Sequence, residues 1–208
     1  MRFNFVCAAA LFASLSVFAQ DTAGPFGYPA GLLDAPATLS SPAADYLRLG
    51  KPKAALERTK LEDVARLTQG TRLSEGAGVY RRDTLCLSGT EGGRPVVAWL
   101  IATASEYITE AQLEWAKPGE IPGYCRALPG RLLPLRLGRI GLGMAKADVE
   151  KELGDPSHVD SAGWHYWFSQ RFSRNERDLQ ELRLNWLAVH YDRRGRIEKA
   201  FISQVTNL

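Results

Sequence analysis

Two groups of residues in this chain are of types that could do chemistry. The first is a pair of thiols: Cys7 falls inside an apolar N-terminal run, which leaves Cys86 and Cys125. In an exported chain such a pair reads as a disulfide, and closing a loop of about 40 residues restricts the unfolded chain by roughly 3 to 4 kcal/mol. The second is His190-Tyr191-Asp192 at the end of one strand pattern, with His165 on the strand pattern before it. Imidazole, phenol and carboxylate are the groups of acid–base catalysis. Strand residues with polar tips near solvent account for them more simply. No G-x-S-x-G, H-E-x-x-H, G-x-G-x-x-G or P-loop occurs, and Gly141-Leu142-Gly143 reads as the turn before a helix. The histidines, His158, His165 and His190, form no H-x-x-x-H, and the cysteines form no C-x-x-C. Neither a metal nor a cofactor is expected, no catalytic residue is assigned, and the chain reads as a non-enzyme.

The elements that must position these residues are clearest from Gly143 to Pro156 (GMAKADVEKELGDP). Ala145, Val149 and Leu153 recur every four residues, so they line one stripe while Lys146, Glu150 and Lys151 turn outward. Gly154 supplies the positive-φ stop and Pro156 blocks continuation, so the helix runs two to three turns. A helix this short needs a surface to lie on. That surface is a sheet. Trp164, Tyr166 and Phe168 alternate with His165, Trp167 and Ser169, and Leu182, Leu184, Trp186 and Ala188 alternate with Arg183, Asn185, Leu187 and Val189. Arg171 to Gln180 reads as a loop, Asp192 to Arg196 as a tight turn, and IEKAFISQV as a last, antiparallel strand.

Residues 1–19 fit a signal peptide cleaved after Ala19: Arg2, then an apolar run shorter than the ~20 residues a bilayer needs. The mature chain is then expected in the periplasm or outside the cell, with no integral membrane segment. Cys7 is badly placed to carry a lipid anchor. Removing Arg2 leaves 25 basic against 23 acidic residues, scattered along the chain, so no nucleic-acid partner is expected. Residues 20–45, with four prolines among small residues, read as an extended arm or linker, or as a disordered leader.

From Thr59, TKLEDVARL has the form of a capping box, Thr59 against Glu62, with Leu61, Val64 and Leu67 as its apolar stripe. Three strand patterns follow, from Gly78, Pro95 and Glu106. The order of the second half is thus repeated, and LRLG occurs at Leu47–Gly50 and again at Leu135–Gly138. The fold class is α+β: a short helix on an antiparallel sheet, in two tandem helix-plus-three-or-four-strand units, residues 46–130 and 131–208. One continuous α+β domain is the alternative.

The second unit resembles the BamE family, also called SmpA/OmlA, small envelope proteins associated with outer-membrane protein assembly. The resemblance rests on GMAKADVEKELGDP, GWHYW and LAVHYDRRGRIEKA, about a third of the chain. Two departures stand out: family members are usually lipoproteins, and Ala145 occupies a position where a capping Ser or Thr is common, which costs about 1 kcal/mol. At the level of fold alone, a helix-and-sheet unit used twice with a disulfide is similar to the beta-lactamase inhibitor proteins. The resemblance implies a non-enzymatic, protein-binding accessory of the cell envelope. A soluble periplasmic inhibitor or immunity protein that blocks an enzyme with its sheet face is the alternative, and a small exported hydrolase the third. Trp164, Tyr166, Trp167, Trp186 and Tyr191 are the expected partner-binding residues, since one short helix cannot cover them all and Trp and Tyr are typical interface anchors.

Overall fold

The computed structural model describes residues 24–117, 119–174 and 180–207, so the expected signal peptide lies outside them. In chain order the elements are β1 (Tyr46–Leu49), β2 (Lys53–Ala55), α1 (Leu61–Thr68), β3 (Arg72–Glu75), β4 (Arg82–Glu91), β5 (Arg94–Thr103) and β6 (Glu110–Trp115). Then come β7 (Arg126–Ala127), β8 (Leu135–Leu137), α2 (Lys146–Leu153), β9 (His158–Val159), β10 (Trp164–Arg174), β11 (Gln180–Tyr191) and β12 (Ile197–Asn207). The fold is α+β and mostly antiparallel sheet. The large sheet has the order β3-β4-β5-β6-β12-β11-β10-β9, with β7 beside β4, and β2-β1-β8 form a small second sheet.

Directly paired residues share a face. Leu85, Leu87, Ala98, Leu100, Trp167, Leu187, Val189 and Ile202 therefore point to the side covered by the helices and the small sheet, where they form the main core with Leu61, Val64 and Val149. In the small sheet the two LRLG segments pair with each other, Leu47 opposite Leu137 and Leu49 opposite Leu135. Both of their glycines take left-handed backbone, at φ 63° and 60°.

Four local expectations change. Thr59 does not cap α1: Lys60 is the N-cap, and the Thr59 hydroxyl accepts from the Ala55 N–H at 3.0 Å, closing the turn after β2. Leu67 is exposed; the buried stripe is Leu61, Val64, Ala65 and Thr68, the wider i, i+3, i+4, i+7 face. Arg171–Arg174 are strand rather than loop, because the β10–β11 ladder runs on through Arg171 opposite Arg183 and Phe172 opposite Leu182. Residues 24–45 are not a free arm. Residues 26–35 lie on the far face of the large sheet, the chain bridges to β10 between Leu39 and Ser169, and Ala43 and Ala44 then join the main core on the helix side. Ala145 is the N-cap of α2 with no side-chain bond, and the Lys146 N–H is taken up by the Gly195 carbonyl at 2.9 Å.

Candidate functional site

The five expected partner-binding aromatics do not form a surface patch. Tyr166, Trp167 and Trp186 are buried, and the alternation of β10 and β11 divides the set between the two faces. Trp167 and Tyr191 face the helices, where Tyr191 meets the His165 ring edge-on at 4.9 Å. Trp164, Tyr166 and Trp186 face the other way, but the chain itself covers them. Phe26 packs on Trp164 at 5.7 Å between ring centres, and Leu32 and Ala35 join the cluster of Tyr166, Phe168, Trp186 and Phe201. The Gly31 N–H donates to the Tyr166 oxygen at 3.0 Å, and the Tyr166 hydroxyl in turn donates to Asp160.

A second cluster covers part of that face over β4 and β5. Cys86 and Cys125 are joined by a disulfide, and Ala116, Ile121 and Tyr124 pack with it on Val97 and Trp99.

The catalytic candidates are separated by the same register. Trp164 lies opposite His190, so His190 points to the arm side and His165 to the helix side. His190 Nδ1 meets Glu198 at 2.8 Å and its Nε2 meets the Ala162 carbonyl at 3.0 Å. Burial, reinforced by Lys146, holds His165 below the usual histidine range. Asp192 accepts the N–H groups of Arg194 and Arg196 and so shapes its turn. These are structural bonds. Among the described residues no group of three or more His, Cys, Asp or Glu is arranged to hold a metal, and no helix is long and apolar enough to cross a membrane.

A different site lies at the end of the large sheet where β4, β11 and β12 have Arg82, Gln180 and Asn207. A cleft of about 560 Å³ opens there, lined by Glu57, Tyr107, Glu110, Glu181, Arg183 and Val205 among others. Glu57 has left-handed backbone at φ 56°, a conformation that costs a non-glycine residue energy. Its carboxylate holds it there, accepting from Gln204 Nε2 at 2.8 Å, the Thr206 N–H at 2.8 Å and the Thr206 hydroxyl at 2.6 Å. Glu110 is 6% exposed, and its Oε1 accepts from the Tyr28 hydroxyl at 2.7 Å. Its Oε2 has no hydrogen-bond partner, with the Arg82 guanidinium 3.9 Å away. Burial pushes the Glu110 carboxyl above the usual range against the opposing pull of Tyr28 and Arg82, and burial with the Glu110 contact pushes Tyr28 up to about 12.

Toward this end of the sheet several large apolar side chains are out in water. Val79 and Tyr80, in the turn between β3 and β4, are 74% and 85% exposed. Tyr28 is 55%, Phe172 57% and Val205 39% exposed. The ladder β10-β11-β12 sets Phe172 across from Leu182, and Leu184 across from Val205, on the face away from the helices. Sequence reasoning missed this site because Phe172 fell in a segment read as loop, and because the cleft draws on segments far apart in the chain.

No protein-family model, curated protein or solved structure matches this chain.

Proposed function

We propose that this protein is an exported, non-enzymatic protein-binding module of the cell envelope, and that it binds its partner at the end of the large sheet around Glu110. The observation that carries this reading is a buried Glu110 carboxylate oxygen without a donor in a cleft lined by Val205, at the end of the large sheet where Tyr80 and Phe172 also stand exposed. Exposed aromatic groups rimmed by polar ones are the usual make-up of an interface. Three carboxylates against the guanidiniums of Arg183 and Arg82 suit a partner that brings a lysine or arginine side chain, which would supply the missing donor to Glu110.

Two finer points belong to the same proposal. The chain is a tandem duplication; the strand order, in which β6 and β12 are neighbours, and the mutual pairing of the two LRLG segments support it. The second unit's place is in outer-membrane assembly or maintenance, on the strength of the BamE-like motifs. An inhibitor or immunity protein would use the same surface, and the two differ in whether the partner is an enzyme that loses activity when bound.

The test is site-specific photocrosslinking in intact cells. A crosslinker at Phe172 or Tyr80 is expected to trap a discrete partner. One at Leu67, exposed on α1, or at Val159, exposed on β9, is expected to trap none. Equal trapping from all four positions, or none from any, would count against the proposal.

A further inference from the structure

On the helix side of β10 and β11 the row of buried apolar residues ends abruptly. Beyond Trp167 and Leu187 come Ser169 and Asn185, 3% and 2% exposed, and then Arg171 directly opposite Arg183. Like charges facing each other across strands destabilise a sheet. These two, with Arg58, line a second cleft of about 280 Å³ whose one acidic lining residue is Asp45. Asp45 is bonded to Arg58, and the nearest carboxylate to Arg183 is Glu181 at 3.5 Å. No hydrogen bond or ion pair of Arg171 is found among the described residues.

The cleft also contains buried polar atoms with nothing to bond. Arg183 Nε has no partner, nor has Asn185 Oδ1. The amide orientation of Asn185 is fixed, since its Nδ2 donates to the Ala44 carbonyl at 3.0 Å, so Oδ1 is an acceptor facing a site otherwise rich in donors. A bare oxyanion would answer the guanidiniums and leave Oδ1 empty. A group that carries a carboxylate and an N–H a few ångströms apart answers both.

We infer that this cleft binds the carboxyl terminus of a peptide: the α-carboxylate on Arg171 and Arg183, and the N–H of the last residue on Asn185 Oδ1. Planar guanidiniums match a carboxylate two bonds at a time, and capture of a terminal carboxylate is a recurring mode of peptide recognition. The site lies on the opposite face from Phe172 and meets the Glu110 cleft at Arg183 and Gln204, which line both, so Arg171 is the arginine that reports on this site alone.

The probes are N-acetyl-alanyl-alanine, the same peptide with a C-terminal amide, and inorganic phosphate, each titrated into the disulfide-bonded protein while the Asn185 side-chain amide is followed by NMR. The acid is expected to shift that signal saturably, and the amidated peptide and phosphate to bind at least tenfold more weakly. Arg171→Gln and Arg183→Gln are each expected to weaken the acid at least tenfold. Arg171→Gln is also expected to raise the thermal midpoint of the unliganded protein by removing the repulsion, which a merely structural arginine would not do. Equal binding of acid and amide, phosphate binding as tight as the acid, or wild-type affinity in folded Arg171→Gln would each overturn the inference.

Discussion

Glu57 and Glu110 place two carboxylates in one cleft under opposite conditions. Glu57 is over-bonded: three donors hold it against an unfavourable backbone. Glu57→Ala loses those bonds and keeps the left-handed strain, so a loss of about 2 to 4 kcal/mol is expected in urea unfolding. Glu57→Gly loses the same bonds but relieves the backbone, and is expected to be milder by about 1 kcal/mol. Equal losses would mean the left-handed backbone carries no strain. Glu110 is under-bonded, and its folded carboxyl keeps its proton to higher pH than the unfolded one. Its contribution is therefore fully present below its ordinary value of 4.5 and is lost as pH rises through the folded value. Glu110→Gln retains an acceptor for Tyr28 and removes the ionisation. It is expected to be at least as stable as the parent at pH 7 and to show a flatter pH dependence above 4.5, measured by denaturant unfolding at a series of pH values. A Glu110→Gln protein less stable at pH 7 would mean that the Arg82 pairing outweighs the burial.

At the scale of elements, the crossing segment from Phe26 to Ala35 decides how much of the Tyr166 and Trp186 cluster the sheet shows to solvent. Its fit is close at Gly31, where an added Cβ would lie 3.0 Å from the Asp160 Cβ and 3.2 Å from the Tyr166 ring. Gly31→Val is expected to lift the segment, cost about 1 to 3 kcal/mol and raise iodide quenching of Trp164 and Trp186, while Trp167 stays protected on the helix side. Unchanged quenching would mean the contact is dispensable. Burial alone would raise Asp160, but the Tyr166 hydroxyl and the N–H groups of Trp164, Gly31 and Ala162 outweigh it and hold the carboxyl below the usual range. Its contribution is thus present above 3.8 and lost as pH falls through the lower folded value, so acid should loosen the same contact. The long elements were legible in the sequence: α2 from its four-residue stripe and terminal Gly154, and β11, β12 and β10 as far as Gln170 from their alternation. The small sheet was not, because strands of three or four residues are too short for a period to register. Nor was the covering of Tyr166 and Trp186, since alternation assigns a residue to a face but does not say what lies over it.

At the scale of the molecule, β6 beside β12 joins the two halves into one sheet, and one core draws on Leu61 and Val64 from α1 and Val149 from α2. Urea unfolding followed by tryptophan fluorescence and by circular dichroism is expected to give one coincident transition; two separated transitions would indicate halves that fold apart. The disulfide was legible from the cysteine count with Cys7 set aside and export expected. The two clefts were not, because each assembles residues from distant strands and loops, with charges that look like scattered surface groups along the chain. Partner binding at the end of the sheet is tested most directly by the affinity of the photocrosslinked partner for point variants. Phe172→Asp is expected to weaken binding by a factor of about 30 or more and Glu110→Gln by about tenfold, with Leu67→Asp unchanged. Undiminished binding by a folded Phe172→Asp protein would contradict the account.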